Sequence, residues 1–226
     1  NHGADEIVAM ARYLFRFMEE RRVKALLVAC NTISCVIDRC RDVVSCPVFT
    51  AIQAGAEAVA RLPVEKVGVI STVFTHNSRA YPREILARSP KKMVVLSCGC
   101  PDLARLVEHN LNDTAGMARV EENLQLELDH MVLEEKIQCC VLGCTHYPLV
   151  AGSIRRIYPG LPLVDPAEEM ARALRKDLEE RGLIREGESG PLTIYTTGDV
   201  EEYRLRARQV GLARVAGVAY TPPMEL

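Results

Sequence analysis

Two cysteines in this chain stand where a thiol can do chemistry. Leu27-Val28-Ala29-Cys30-Asn31-Thr32 and Val141-Leu142-Gly143-Cys144-Thr145 share one design: an apolar run, a small residue, a cysteine, then a threonine near the expected start of a helix. A thiol at a strand end, followed by a helix N-terminus, meets unpaired backbone N–H groups and a partial positive charge. Such surroundings are expected to lower the thiol from its free value of ~8.5 into a range of roughly 3.5–7.5. The same N–H groups, with neighbouring hydroxyls, suit a carboxylate. Two such places facing one cleft fit the inversion of a stereocentre. One sulfur removes an α-proton, the other returns one on the opposite face, and the roles swap for the reverse direction. His146, two residues after Cys144, adds a proton donor or a group that stabilises the thiolate.

Other uses of these residues compete. Free cysteine usually fills buried space, and Cys35, Cys40, Cys46, Cys139 and Cys140 are read that way. Metal binding is the rival chemistry, through Cys98-Gly99-Cys100 or through Cys139-Cys140 with Cys144 and His146. Neither set shows the paired Cys-x₂₋₄-Cys blocks of structural zinc, and neighbours on a strand point to opposite faces, so no metal is expected. The cysteine-rich stretch Ser97-Cys98-Gly99-Cys100-Pro101 has no evident physical reason in the sequence. Thr32 and Thr145 serve equally well as helix N-caps, Asn31 as a turn residue, and Glu108 as part of a solvated helix face. His76, His109 and His130 lack any such context.

The elements that must position these residues alternate. Short apolar runs at 24–30, 47–52, 66–72, 93–98, 139–144, 163–165 and 192–197 suit strands buried on both faces of a parallel sheet. Helical spacing falls between them at 4–22, 33–44, 53–61, 76–88, 102–111, 115–136, 147–157, 167–182 and 200–210. The alternation predicts an α/β fold with a mainly parallel sheet. In such sheets ligands collect beyond the carboxyl ends of the strands, where both echoed cysteines fall. The echo itself is what two similar lobes facing each other across a cleft would leave.

Composition bounds the partners. With a formal net charge of −2 over 226 residues and no Lys/Arg block, nucleic acid is not expected. No apolar run approaches the roughly 18–20 residues that span a bilayer, and no signal peptide is visible. The nine cysteines are odd in number and show no framework spacing, which predicts free thiols in a reducing cytosol. The first residue is Asn1 rather than Met, so the sequence is expected to begin inside a longer polypeptide.

Val28-Ala29-Cys30-Asn31-Thr32 and Gly143-Cys144-Thr145-His146-Tyr147-Pro148-Leu149 closely resemble the two signature segments of bacterial glutamate racemases. Val67-Gly68-Val69-Ile70-Ser71-Thr72-Val73-Phe74-Thr75, with Ser78 and Tyr81, looks like that family's substrate-binding loop, except that Ser71 stands where the family usually has glycine. Leu163-Val164-Asp165-Pro166 and Tyr195-Thr196-Thr197-Gly198-Asp199 are similar to its closing strands. The resemblance runs along the whole chain in the family's order. It implies two pseudo-symmetric α/β lobes, each a mainly parallel sheet flanked by helices, with the active site in the cleft between them. The first lobe would comprise residues 1–52 and 165–226, the second residues 53–164. It implies racemisation of glutamate without pyridoxal phosphate or metal. Cys30 would act on the D-isomer and Cys144, assisted by His146, on the L-isomer. Asn31, Thr32, Thr72, Thr75 and Thr145 would hold the substrate's carboxylates and amine. D-Glutamate for peptidoglycan, a bacterial cytoplasmic location and, as one open state, a homodimer follow from the same resemblance. Related aspartate racemases typically carry Glu at the position of His146. The family also begins with an Asp-Ser-Gly loop and a strand ending in Pro-Tyr-Gly, both expected to precede Asn1. The alternatives are a racemase for aspartate or another amino acid, and a non-catalytic amino-acid-binding relative.

Overall fold

In the computed structural model, which describes residues 3–111, 113–188, 190–212 and 214–223, strands and helices alternate as the apolar pattern requires. Helix α1 (Ala4–Glu20) buries Ile7, Val8, Ala11 and Phe15, which recur at helical spacing. Strand β1 (Leu26–Val28) leads through Cys30 into the one-turn helix α2 (Asn31–Ser34). Strand β2 (Val48–Thr50) runs parallel to β1, with Leu26 opposite Val48 and Val28 opposite Thr50. Helix α3 (Ala51–Ala60), strand β3 (Lys66–Ser71), helices α4 (Val73–Ser78) and α5 (Ala80–Arg88), and strand β4 (Val94–Gly99) come next. Helices α6 (Leu103–Asn110) and α7 (Thr114–Asp129) lead to strand β5 (Cys139–Gly143), then to helix α8 (Ala151–Ile157), strand β6 (Leu163–Val164) and helix α9 (Pro166–Glu180). Strand β7 (Leu192–Thr196), helix α10 (Val200–Gln209) and strand β8 (Val215–Tyr220) close the chain.

The described residues up to Arg181 form one compact unit, and those from Gly182 onward form a second. The second unit is a single β-α-β turn in which β7 and β8 pair in parallel. Asp199 caps α10 by accepting from the Glu202 N–H at 2.7 Å.

Within the first unit the central sheet has the order β4-β3-β5-β6, and every pairing is parallel. Both faces are covered, which is why β3 and β5 read as continuous apolar runs. On one face Ile70, Cys140 and Leu142 pack against Leu103 and Val107 of α6 and Val120, Leu124 and Leu128 of α7. On the other, Val67, Val69, Cys139 and Val141 meet Ile52, Ala56 and Val59 of α3 and Tyr81 and Ile85 of α5. A separate cluster joins α1 to β1 through Ala11, Phe15, Leu26 and Val28, with Ile37 and Cys40. The α/β class with parallel sheets is thus the one expected. All nine cysteines are free thiols. Among the described residues no helix is long and apolar enough to cross a membrane.

Four elements differ from expectation, the first being the helix predicted over 147–157, which is a 3₁₀ turn at Tyr147–Val150 before α8. The helix predicted over 33–44 is the single turn of α2 followed by two 3₁₀ turns, Ile37–Arg39 and Arg41–Val43. The segment is crowded with β-branched residues (Ile33, Val36, Ile37, Val43, Val44), which lose rotamer freedom in a helix. The helix predicted over 76–88 breaks at Arg79, held in the left-handed region at φ 57°. Pro82 has no N–H to continue a helix from Ser78, so the chain restarts as α5. Strand β8 lay outside the expected set.

Candidate active site

The carboxyl ends of β1, β3 and β5 carry most of the residues singled out by sequence. Cys30 follows β1 and is exposed. Its carbonyl accepts from both the backbone N–H and the hydroxyl of Ser34, each at 2.9 Å, which fixes the turn that presents the thiol. Asn31 is buried at 4% exposure, and its Oδ1 accepts from the Tyr81 hydroxyl at 2.7 Å. Tyr81 is itself buried, and desolvation, followed by the nearby Cys35, Asp165 and Cys144, drives its phenol well above the usual range. It therefore stays a neutral donor.

Beyond β3 the threonines form one chain of hydroxyls. Thr32 Oγ1 lies 3.3 Å from Thr72 Oγ1, and Thr72 donates to Thr75 Oγ1 at 3.1 Å. Thr72 is also the N-cap of α4, accepting from the Thr75 N–H at 3.3 Å. Neither Thr32 nor Thr145 caps a helix. The cap before α2 is Cys30 and that before the 3₁₀ turn Tyr147–Val150 is His146. Thr72→Ala is expected to destabilise the fold by about 0.5–2 kcal/mol in urea denaturation, and Thr72→Ser to leave it unchanged. A further rise in KM for Thr72→Ala alone would add a ligand-holding role to the cap.

Cys144 follows β5, only 7% exposed. Its position depends on Gly143. A Cβ at Gly143 would lie 2.7 Å from the Ile70 carbonyl oxygen and 3.0 Å from both Ser71 Cβ and the Tyr81 ring, so only glycine lets β5 end this close to β3. The chain then makes a turn and a 3₁₀ segment, and α8 begins only at Ala151. The expected depression of the thiol is not what results. Burial pushes Cys144 up, partly opposed by the His146 backbone N–H; a negative charge on Cys30 pushes it further up, and the hydroxyl and N–H of Thr145 pull it back. Desolvation outweighs the N–H groups.

His146 lies beside the thiol, with Nδ1 3.7 Å from Cys144 Sγ. Its other nitrogen, Nε2, lies 3.7 Å from Glu108 Oε2. Glu108 on α6, read from sequence as part of a solvated face, is therefore the partner of His146. The pair is separated by 38 positions, so no local pattern announces it.

A cavity of about 200 Å³ opens at this end of the sheet. Asn31, Cys144, Thr145 and Asp165 supply its polar wall, and Leu142 and Met170 part of its apolar wall. Asp165 also caps α9, accepting from the Ala167 N–H at 2.9 Å. Ala29 and Asn31, on either side of Cys30, line the cavity, whereas Cys30 itself lies outside that lining. Thr32, Thr72 and Thr75 also lie outside it, joined to one another as described.

Fold and site together define a parallel α/β protein with free thiols at the carboxyl ends of two of its strands. Residues 2–174 match the Asp/Glu/hydantoin racemase family, and the chain belongs to it. It is 32% identical over 216 residues to glutamate racemase 2 of Caldanaerobacter subterraneus subsp. tengcongensis, covering 93% of this chain and 78% of the relative. Two solved structures are similar throughout. Glutamate racemase from Francisella tularensis, in complex with D-glutamate, superposes with a TM-score of 0.87 at 27% identity, covering 98% of this chain and 82% of the other. Glutamate racemase from Thermus thermophilus, in complex with β-chloro-D-alanine, gives a TM-score of 0.82 at 31% identity, covering 98% and 81%.

Proposed function

We propose that this chain interconverts L- and D-glutamate by a two-base mechanism, with Cys30 and Cys144 as the alternating base and acid. The observation that carries the reading is that Cys144 and the two residues flanking Cys30, Ala29 and Asn31, line one cavity at the strand ends. In one direction the Cys30 thiolate takes the α-proton of the D-isomer while the Cys144 thiol gives its proton to the opposite face. The turnover leaves Cys30 protonated and Cys144 as thiolate, the state that takes the α-proton of the L-isomer; another turnover of the D-isomer first needs Cys30 to lose its proton and Cys144 to regain one. His146, beside Cys144 and paired with Glu108, supplies and withdraws the Cys144 proton. Asn31, Thr32, Thr72, Thr75 and Thr145 hold the two carboxylates and the ammonium. The division into lobes, residues 1–52 with 165–226 and residues 53–164, with the site in the cleft between them, belongs to the same proposal. For residues 1–52 it is supported by the separate sheet that β1 and β2 form. The product serves peptidoglycan synthesis in a bacterial cytoplasm.

Aspartate is the nearest competing substrate, and His146 and Tyr147 favour glutamate over it. The test is a panel of L-amino acids in deuterium oxide with the full-length protein and no added cofactor. Glutamate is expected to exchange its α-proton and lose optical activity fastest. Faster exchange of aspartate, or no exchange of any amino acid, would overturn the assignment.

The raised Cys144 thiol sets the pH profile. The active free enzyme carries one thiolate and one thiol, so kcat/KM rises as the first proton of the pair is lost and falls as the second leaves. Burial and the charge on Cys30 both oppose that second loss. The alkaline limb is therefore expected above the ordinary thiol value of ~8.5. Because the two isomers have equal free energy, the profile must be the same in both directions. An alkaline limb below that value would contradict the burial of Cys144.

A further inference from the structure

Behind the cavity, and outside its lining, lies a second group of thiols that the proposed reaction does not use. Cys98 and Cys100 flank Gly99 at the carboxyl end of β4. Side chains two apart on a strand share a face, and here it is the face covered by α6 and α7, where Cys100 is 2% exposed. Glu127 on α7 meets them, accepting from the Cys98 thiol at 3.0 Å. The two sulfurs and a Glu127 carboxylate oxygen all lie within 4.8 Å of one another. A tetrahedral zinc with Zn–S of about 2.3 Å and Zn–O of about 2.1 Å needs ligand atoms roughly 3.5–3.8 Å apart; the Cys98–Glu127 pair at 3.0 Å opens slightly to reach this, an adjustment within reach of side-chain rotation.

A second observation concerns unpaired polar atoms. Among the described residues, two buried side-chain oxygens lack a hydrogen-bond partner: the Tyr147 hydroxyl and Asn123 Oδ1. Buried polar atoms are normally paired, and an orphan calls for an explanation. Tyr147 shares one buried cluster with Cys100, and Cys98 packs against that cluster. Asn123 precedes Glu127 by one turn on the same face of α7.

The geometry points to a binding site for a thiophilic divalent cation of the zinc class, held by Cys98 Sγ, Cys100 Sγ and a Glu127 carboxylate oxygen. Binding replaces the two thiol protons, which leave to solvent, so the centre carries two thiolates, one carboxylate and one M²⁺. The Tyr147 hydroxyl then donates to the Cys100 thiolate, and Asn123 Oδ1 accepts from a water in the fourth position; both orphans are satisfied, as outer-shell groups of metal sites usually are. Thiolate donors select zinc-like ions over magnesium or calcium. The sequence set Cys98-Gly99-Cys100 aside because it lacks a second cysteine pair; the third ligand comes instead from a helix 27 positions on. The site ties the end of β4 to α7. The Cys100 N–H already bonds the Ser71 carbonyl at 2.8 Å, next to Thr72, so the ion would brace the strand end from which the threonine chain starts.

The test uses the reduced full-length protein, freed of metal by chelator and titrated with cadmium, whose thiolate complexes absorb in the ultraviolet. A single tight equivalent is expected, accompanied by a rise in Tm on adding zinc. Affinity should fall at least about tenfold, the lower bound for losing even an outer-shell partner, in Cys98→Ser, Cys100→Ser and Glu127→Gln, and persist in Cys30→Ala and Cys144→Ala. Cys98 is part-exposed, so Cys98→Ser carries the test if Cys100→Ser does not fold. No tight equivalent, a band unchanged in Cys98→Ser, or a band lost with Cys30 or Cys144 would overturn the proposal, the last by placing the ion at the cavity.

Discussion

Replacing either sulfur, by Cys30→Ala or Cys144→Ala, is expected to lower racemisation by at least about 10²–10⁴-fold in both directions. A positioned proton-transfer group contributes a factor of this size, and each turnover needs one group on each face of the α-carbon. The losses must match for the two isomers, since their equilibrium constant is unity. The variants should differ in a half-reaction. With Cys144 removed, Cys30 still takes and returns the proton of D-glutamate on its own face, so slow exchange without inversion should persist for that isomer only. With Cys30 removed, the residual exchange should pass to L-glutamate. Exposed Cys30 carries little packing, so its loss leaves the fold intact and the effect is chemical. The measurement is circular dichroism of each isomer beside α-proton exchange by NMR. Rates near those of the unaltered protein in either variant would end the two-thiol account.

Gly143→Ala should produce the second large effect, through the backbone rather than the chemistry. The added methyl meets the Ile70 carbonyl oxygen at 2.7 Å, a distance at which backbone must give way. Overpacking of this kind costs about 1–3 kcal/mol, readable as a lower urea midpoint. The strand end that moves carries Cys144, and a shift of roughly 1 Å in a reacting group can cost about 10²-fold in rate. KM should change less than kcat, because the cavity wall contributed by Asn31 and Asp165 stays in place. Unchanged stability with unchanged kcat would mean that β3 and β5 tolerate a wider approach than the structure shows.

Strand ends were the legible part of this chain. Cys30 and Cys144 stood out because an apolar run, a small residue and a polar turn follow each other on a scale of six residues. The same periodicity located β3, β5 and the helices that cover them. Depth was not legible: the run Cys139–Gly143 predicts a strand but not how completely it is enclosed, so burial raised the Cys144 thiol where helix ends alone would have lowered it. Partnerships across elements were hidden as well. Glu108 finds His146 and Glu127 finds Cys98 only after α6 and α7 pack on the sheet. The break at Arg79 was not read from the sequence, which predicted one helix over 76–88 across Pro82, and the left-handed turn falls on a residue with no special tendency for it. Strand β8, interrupted by Gly217, gave no alternation to read.

The bond from the Tyr81 phenol to Asn31 settles which way a primary amide points. An amide has an electron-rich end and an electron-poor end, and rotating it by half a turn exchanges them. With its oxygen engaged by a proton that Tyr81 does not release, Asn31 has only its NH₂ end left to turn toward the cavity. Asn31 therefore offers that wall a donor for oxygen anions and none of its own for ammonium groups to bond, and on the proposed reaction this would orient an arriving dicarboxylate before either sulfur acts on it.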